Sequence, residues 1–129
     1  MNAGSPAREI LLMLQAAVDA KDLDGLVALF PADGVLVGTR LYNHGTAEIR
    51  AYLDEEVVQK EDGLFWDLPE LDVFLDTAEV VGFSGDGRIT VTSPEGDAVH
   101  FPFRLTVVAE RSGVGWMVRQ FHGSLPSAN

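Results

Sequence analysis

The sequence predicts an α+β fold in which helices gather on one face of a curved antiparallel sheet. Two periodicities carry that expectation. Apolar residues recur at helical spacing as far as Val57, and from Leu64 onward the period changes to two. A third observation orders the second half: the turn-like stretches SGDGR, SPEGD and RSGVG divide it into the consecutive strands of a meander.

The first helix starts at Ser5-Pro6, with Ser5 as N-cap, Pro6 in the first turn and Glu9 following. Ile10, Leu11, Leu14, Ala17 and Val18 form one apolar stripe, which Lys21-Asp22 ends. A short second helix runs through Leu23, Leu26, Val27 and Phe30 and stops at Pro31. ADGVLVG is a turn leading into a brief strand, Val35 to Val37. In HGTAEIRAYLDEEV, Thr46 caps a third helix whose Ile49, Tyr52, Leu53 and Val57 share a face. Beyond it Leu71, Val73 and Leu75 alternate with Asp72 and Asp76, and Glu79 to Phe83 continues after a bend. SGDGR reads as a hairpin, because Asp86-Gly87 suits positive φ, with RITVT returning. AVHFPFRLTVVAE is a long strand, and GWMVRQFHGSLP closes the sheet. With no repeat, linker or low-complexity segment, residues 1–129 read as one domain.

Composition narrows the function classes. A chain of 129 residues can bury roughly two-thirds of its unfolded surface, and 47% hydrophobic residues is a globular proportion. A formal net charge of −11 repels phosphate backbones and anionic lipid, so neither a nucleic-acid nor a membrane partner is expected. The absence of cysteine removes disulfides, thiolate catalysis and Cys-type metal sites. His44, His100 and His122 sit on three elements without ligand spacing, so no metal is expected. Neither a Gly-x-Ser-x-Gly elbow nor a phosphate loop occurs, and no cofactor is implied. The first residues lack a signal-peptide pattern and no apolar run approaches a membrane span, so the expected location is cytoplasmic.

Strand parity separates two faces. Val99, Phe101, Phe103, Leu105, Val107 and Ala109 point one way, toward the helices. His100, Pro102, Arg104, Thr106, Val108 and Glu110 point the other way. If the last hairpin pairs Trp116 with Glu110, Met117, Arg119, Phe121 and Leu125 join the inner face. Trp116, Val118, Gln120, His122 and Ser124 then join the outer one. In that register Arg119 is a cation among apolar side chains. It needs an internal carboxylate, such as Asp67 or Glu70, backbone carbonyls, or a bound anion. The outer face mixes Trp116, Val118 and Pro102 with Arg104, Gln120 and His122, a composition that suits a sheet-to-sheet homodimer.

A helical front half and a meander ending GWMVRQFHGSLP resemble the NTF2-like superfamily, especially its SnoaL-like members. Trp116 at the strand start and the ending His122-Gly123-Ser124-Leu125-Pro126 look like that group's closing strand, and RLTVVAE fits the strand before it. The association domain of calcium/calmodulin-dependent kinase ends similarly. In the front half, ALFPADGVLVGTRLYNHGTAEIRAYL is similar to the ketosteroid-isomerase-type pattern: phenylalanine, turn, short strand, then Gly-x-x-x-Ile and a helix. The resemblance covers nearly the whole chain. It implies a cone-shaped, cystatin-like half barrel with three N-terminal helices packed on the sheet, a deep apolar pocket between them, and dimerisation through the sheet. Members include isomerases, polyketide cyclases, epoxide hydrolases, dehydratases and non-catalytic binding or assembly domains.

The enzymes of that group do not carry over residue by residue. Steroid-isomerase-like members place an aspartate base on the short strand, where this chain has Val35-Leu36-Val37-Gly38-Thr39 and no carboxylate. Asp33 belongs to an ADG turn and is expected to bond its own backbone. The epoxide-hydrolase type needs an Asp–Arg–Asp set; Arg119 suits its centre, with Asp67 and either Asp72 or Asp76 around it, but no alignment fixes the trio.

Two readings stand. In the first, a homodimeric SnoaL-like protein binds a small molecule in a pocket lined by Tyr42, Trp66, Phe101, Phe103 and Phe121. Arg119 there anchors a carboxylate or enolate-like oxygen, with Asp67 or His100 to shuttle a proton in isomerase, cyclase or lyase chemistry. In the second, the chain is a non-catalytic dimerisation or ligand-sequestering module, and an internal carboxylate closes off Arg119.

Overall fold

The structure, a computed structural model, describes residues 5–113 and 115–126. The front half consists of α1 (Ala7–Ala20), α2 (Leu23–Val27), β1 (Val35–Val37), β2 (Tyr42–His44) and α3 (Thr46–Leu53). A π-helical turn, Asp54–Val58, continues α3. The sheet half is β3 (Gly63–Asp67), β4 (Leu71–Asp76), β5 (Val80–Thr92), β6 (Ala98–Ser112) and β7 (Gly115–Ser124). Val114, in the expected RSGVG turn, lies outside the described residues.

Local chemistry accounts for the helices. The apolar stripe of α1 is buried through Ile10, Leu11, Leu14 and Val18, and its end is set by Lys21 in the left-handed region at φ 51°. Ser5 Oγ accepts the Ala7 amide at 3.2 Å, although Pro6 holds the cap position itself. Thr46 does not cap α3 as expected. Gly45 occupies that position at φ 90°, a conformation open to glycine, and the Glu48 carboxylate accepts the His44 amide at 2.8 Å.

The sheet order is β2-β1-β7-β6-β5-β3, with β4 also on β5. Its pairs are antiparallel except one: β1 lies parallel to β7, with Leu36 opposite Phe121. The sheet is curved and open, α1, α2 and α3 pack on its concave side, and the whole is the cone-shaped, cystatin-like arrangement. Phe83, Val107 and Val118 on that side are fully buried, each 0% exposed.

Two strand expectations are corrected. SGDGR is not a hairpin: β5 runs unbroken through it for 13 residues. Its glycines serve close approach instead. A Cβ on Gly87 would stand 2.2 Å from the Asp67 carbonyl oxygen, and one on Gly85 would stand 3.0 Å from Leu71 Cδ2. There the chain passes from β3 to β4, both of which pair with β5; glycine at 87 lets the Asp67 backbone come that near, and glycine at 85 leaves room for the Leu71 and Leu68 side chains.

The second correction concerns the last hairpin. Trp116 pairs with Arg111 and Met117 with Glu110, not Trp116 with Glu110. Ala109 pairs with Val118, while Val108 pairs with Gln120, so Arg119 is the extra residue of a β-bulge. Before the bulge Val118 faces inward and Met117 outward; after it Phe121 faces inward and Gln120 and His122 outward. The Val118 amide donates to the Leu29 carbonyl just after α2 at 2.7 Å, so a helix end satisfies the strand where β1 has not yet begun.

Candidate functional site

The concave side of the sheet is incompletely filled. A cavity of 150 Å³ lies between the helices and the sheet, with Leu14, Leu26 and Phe30 on the helical side. Trp66, Phe103 and Phe121 line it from the sheet. Trp66 and Phe121 pack with ring centroids 5.7 Å apart and planes inclined at 45°. Trp66 is held by α1: the Gln15 side-chain oxygen accepts the Trp66 amide at 3.0 Å, and the Gln15 amide nitrogen donates to the Leu64 carbonyl at 2.8 Å. A helix thus closes an edge of the sheet that would otherwise be unpaired.

Polar groups enter the cavity at one place. Tyr52 and Glu56 lie four residues apart where α3 passes into the π-helical turn, so they share a face with Leu53 and Val57. Gly38 and Thr39, just after β1, stand opposite. Gly38 provides room for the phenol: a Cβ there would stand 1.8 Å from Tyr52 Oη. Burial, reinforced by the Glu56 charge, raises the Tyr52 pKa above its ordinary value of 10.0; hydrogen bonds from Thr39 and the Arg40 charge act the other way. The Glu56 carboxylate, its side chain 21% exposed, has Arg40 Nη2 at 3.1 Å from Oε2 and Lys60 Nζ at 3.6 Å from Oε1. Among the described residues, no Lys, Arg or His lines this cavity.

A second cavity of 210 Å³ shares Val18, Thr39, Glu56, Val57, Leu64 and Ile89 with the first and forms its mouth. Lys21, Lys60 and Asp62 border it on one side, Phe101 and Leu125 on the other. The Lys21 ammonium donates to the Lys60 and Asp62 carbonyls, so it ties down the loop after the π-helical turn.

The structure scatters the residues expected to do chemistry. Arg119 is neither internal nor in the cavity. As the bulged residue it lies on the outer face, where Nη1 is 2.5 Å from Asp33 Oδ1 and Nη2 is 2.8 Å from Glu110 Oε1. Those two carboxylates, Asp33 first, raise its already high pKa. Asp33 therefore spends its side chain on Arg119, while the turn itself closes through Gly34 and the Pro31 carbonyl at 2.9 Å. Asp67 pairs with Arg88 at 3.3 Å, and His100 Nδ1 is 2.8 Å from Thr90 Oγ1; the register places both on the outer face. The set Arg119, Asp67 and His100 does not converge.

Of the expected lining, Trp66, Phe103 and Phe121 border the cavity, Phe101 reaches only its mouth, and Tyr42 is 68% exposed outside both cavities. Of the expected dimer face, Arg104, Gln120 and His122 are exposed outside, with Arg104 bonded to Asp86 at 3.2 Å. Trp116 is not among them: its register turns it inward, packed against the core under Arg111, whose guanidinium lies 4.3 Å from the ring centroid. Among the described residues no cluster of His, Asp and Glu is placed to hold a metal ion, and no helix is long and apolar enough to cross a membrane.

The cavity residues that sequence reasoning passed over are Tyr52, Glu56, Thr39 and Gly38. Their one available signal was the i,i+4 spacing of Tyr52 and Glu56 on a helix face otherwise apolar.

A curved sheet wrapped around an apolar cavity under three helices defines the NTF2-like class of cone-shaped domains. Within it the chain belongs to the SnoaL-like domain family, whose pattern matches residues 8–128. No curated protein matches the sequence. Among solved structures, a candidate calcium/calmodulin-dependent protein kinase II association domain from Xanthomonas campestris superposes with a TM-score of 0.81 at 19% identity, covering 95% of this chain and 87% of that one. A candidate dehydratase of the NTF2-like family from Streptomyces avermitilis gives 0.77 at 19% identity, covering 95% and 97%. An NTF2-like protein of unknown function from Pseudomonas putida gives 0.74 at 20% identity, covering 93% and 84%. At these identities the likeness is one of fold.

Proposed function

We propose that this SnoaL-like protein binds a small apolar molecule in the cavity between its helices and the concave face of its sheet. The observation that carries this reading is the 150 Å³ of unfilled space lined by Trp66, Phe103 and Phe121, with Tyr52, Thr39 and Glu56 bringing hydroxyl and carboxylate groups to it. Protein interiors are otherwise packed without such voids, and an apolar cavity of about this size is enough for a single aromatic ring. Fold neighbours assigned as a dehydratase and an aromatic ring hydroxylase are consistent with such a ligand. Turnover of isomerase, cyclase or lyase type would have to run on Tyr52 and Glu56, because Arg119, Asp67 and His100 face away from the cavity.

Trp66 supplies the test. The chain has 2 tryptophans, so Trp116→Phe leaves Trp66 as sole emitter. Toluene should change its fluorescence saturably, and ligand at a hundred times its dissociation constant should raise stability by about 2.7 kcal/mol. A chain that shows neither with toluene or any small apolar compound is not a binding protein of this kind.

A second feature favours self-association through the outer face. Val35, Val37, Val108 and Met117 are only half buried there, beside exposed Gln120 and His122, and Phe74 lies over Gly82 at 58% exposure. We read this surface as the contact of a homodimer. Light scattering should give twice the 14.0 kDa chain mass, and Val108→Lys should halve it; a monomeric wild type would end this reading.

A further inference from the structure

The polar end of the cavity specifies its ligand, an inference that rests on the binding role proposed above. Gly38 lacks the Cβ that would collide with the phenol at 1.8 Å, so the backbone just after β1 leaves room for the Tyr52 hydroxyl. Thr39 stands beside that hydroxyl at the polar end of the cavity and acts on its titration together with the Arg40 charge. A phenol O–H donates one hydrogen bond, and in the cavity a ligand's acceptor would meet it. Glu56 and Arg40 are its charged neighbours, and both oxygens of the Glu56 carboxylate face cations, Arg40 on one side and Lys60 on the other. Burial keeps the phenol protonated, hence a donor.

The same lining disfavours an anion. Among the described residues it holds one carboxylate and no cation, so a carboxylate ligand would lose its water without gaining a counter-charge. This is the reverse of the expectation built on Arg119. Lys21 and Lys60 border the mouth and do not line the deep cavity.

We propose that the cavity selects neutral, compact molecules, one ring or a short branched chain in size, that carry a single hydrogen-bond acceptor such as a carbonyl oxygen, and that Tyr52 Oη is the donor to it.

Three probes of similar size test this in the Trp116→Phe background: acetophenone, ethylbenzene and benzoate, each titrated against Trp66 emission. Acetophenone should bind about tenfold more tightly than ethylbenzene, the margin of one good hydrogen bond, and Tyr52→Phe should erase that margin while leaving ethylbenzene unchanged. Benzoate should bind at least tenfold more weakly than acetophenone. The carbonyl stretch of bound acetophenone should fall relative to an apolar solvent, and this wild-type readout holds whether or not the variant folds. Ethylbenzene binding as tightly as acetophenone, a margin that survives Tyr52→Phe, an unshifted carbonyl band, or benzoate binding best would overturn the Tyr52 inference and leave the cavity reading standing. Failure of all three probes to bind would overturn both.

Discussion

The two faces of the sheet use polar residues in opposite ways. On the outer face charges are frequent and paired: Asp67 with Arg88, Asp86 with Arg104, and Arg119 between Asp33 and Glu110, with every side chain at least 33% exposed. On the concave face polar groups are few, and those that reach the cavity, Tyr52, Thr39 and Glu56, come from its rim. Water makes charge inexpensive outside, where exposed pairs typically contribute 0–1 kcal/mol. Inside, each polar atom costs free energy unless it has a partner, so a polar group facing a cavity there calls for an explanation in a way that an exposed arginine does not. Function is better sought at Tyr52 than at Arg119.

The largest effects that sharpen this contrast are on the inner face. Phe83→Ala, at a side chain that is 0% exposed, should cost about 3–5 kcal/mol in urea unfolding. Next comes Gly38→Ala, which puts a methyl where the Tyr52 hydroxyl now lies. It should cost about 1–3 kcal/mol and weaken acetophenone binding at least tenfold by pushing the phenol into the cavity. Smaller is the pH effect of Tyr52. Its folded-state pKa is raised, so above pH 10.0 the unfolded chain loses the phenol proton first. The stability tied to the protonated phenol is complete below pH 10.0 and is lost as pH rises through the folded-state value. Tyr52→Phe should flatten that alkaline decline in a urea series run upward from pH 9. Arg119→Met, on the outer face, should lower the melting temperature slightly and leave ligand binding unchanged; loss of binding in that variant would break the comparison. Least of all, Arg111→Ala removes the cation over Trp116 and should cost about 0.5–1 kcal/mol.

Much of the architecture was legible because it depends on periodicity. The stripe of α1, the alternation of Phe103, Leu105, Val107 and Ala109 along β6, and the breaks at Pro31 and Lys21-Asp22 all report burial on one side. What escaped depends on partners distant in sequence. One extra residue at Arg119 reverses strand parity, and no local pattern in GWMVRQ marks it, since the reason for it lies in the Leu29 carbonyl. Asp86-Gly87 has the composition of a tight turn, yet its glycine answers to the Asp67 carbonyl passing overhead. The candidate site was missed for the same reason. Glu56 resembles any solvated helix residue until β1 is placed opposite it, and Arg119 attracted notice through an inward orientation that the bulge cancels.

The strand order has a consequence in time. β7 lies between β1 and β6, so the β1–β2 hairpin, which appears early in the chain, joins the sheet only through a segment that appears near its end. Long-range pairings of this kind form slowly, because a large loop must close before they return any stabilisation. During synthesis α1, α2 and α3 would be complete while their apolar sides still lacked a sheet. A nascent chain stopped at Gly113 should therefore be protease-sensitive and bind hydrophobic dyes, and release of the remaining residues should abolish both together. The cavity, whose far wall includes Phe121, comes into being only at that last step.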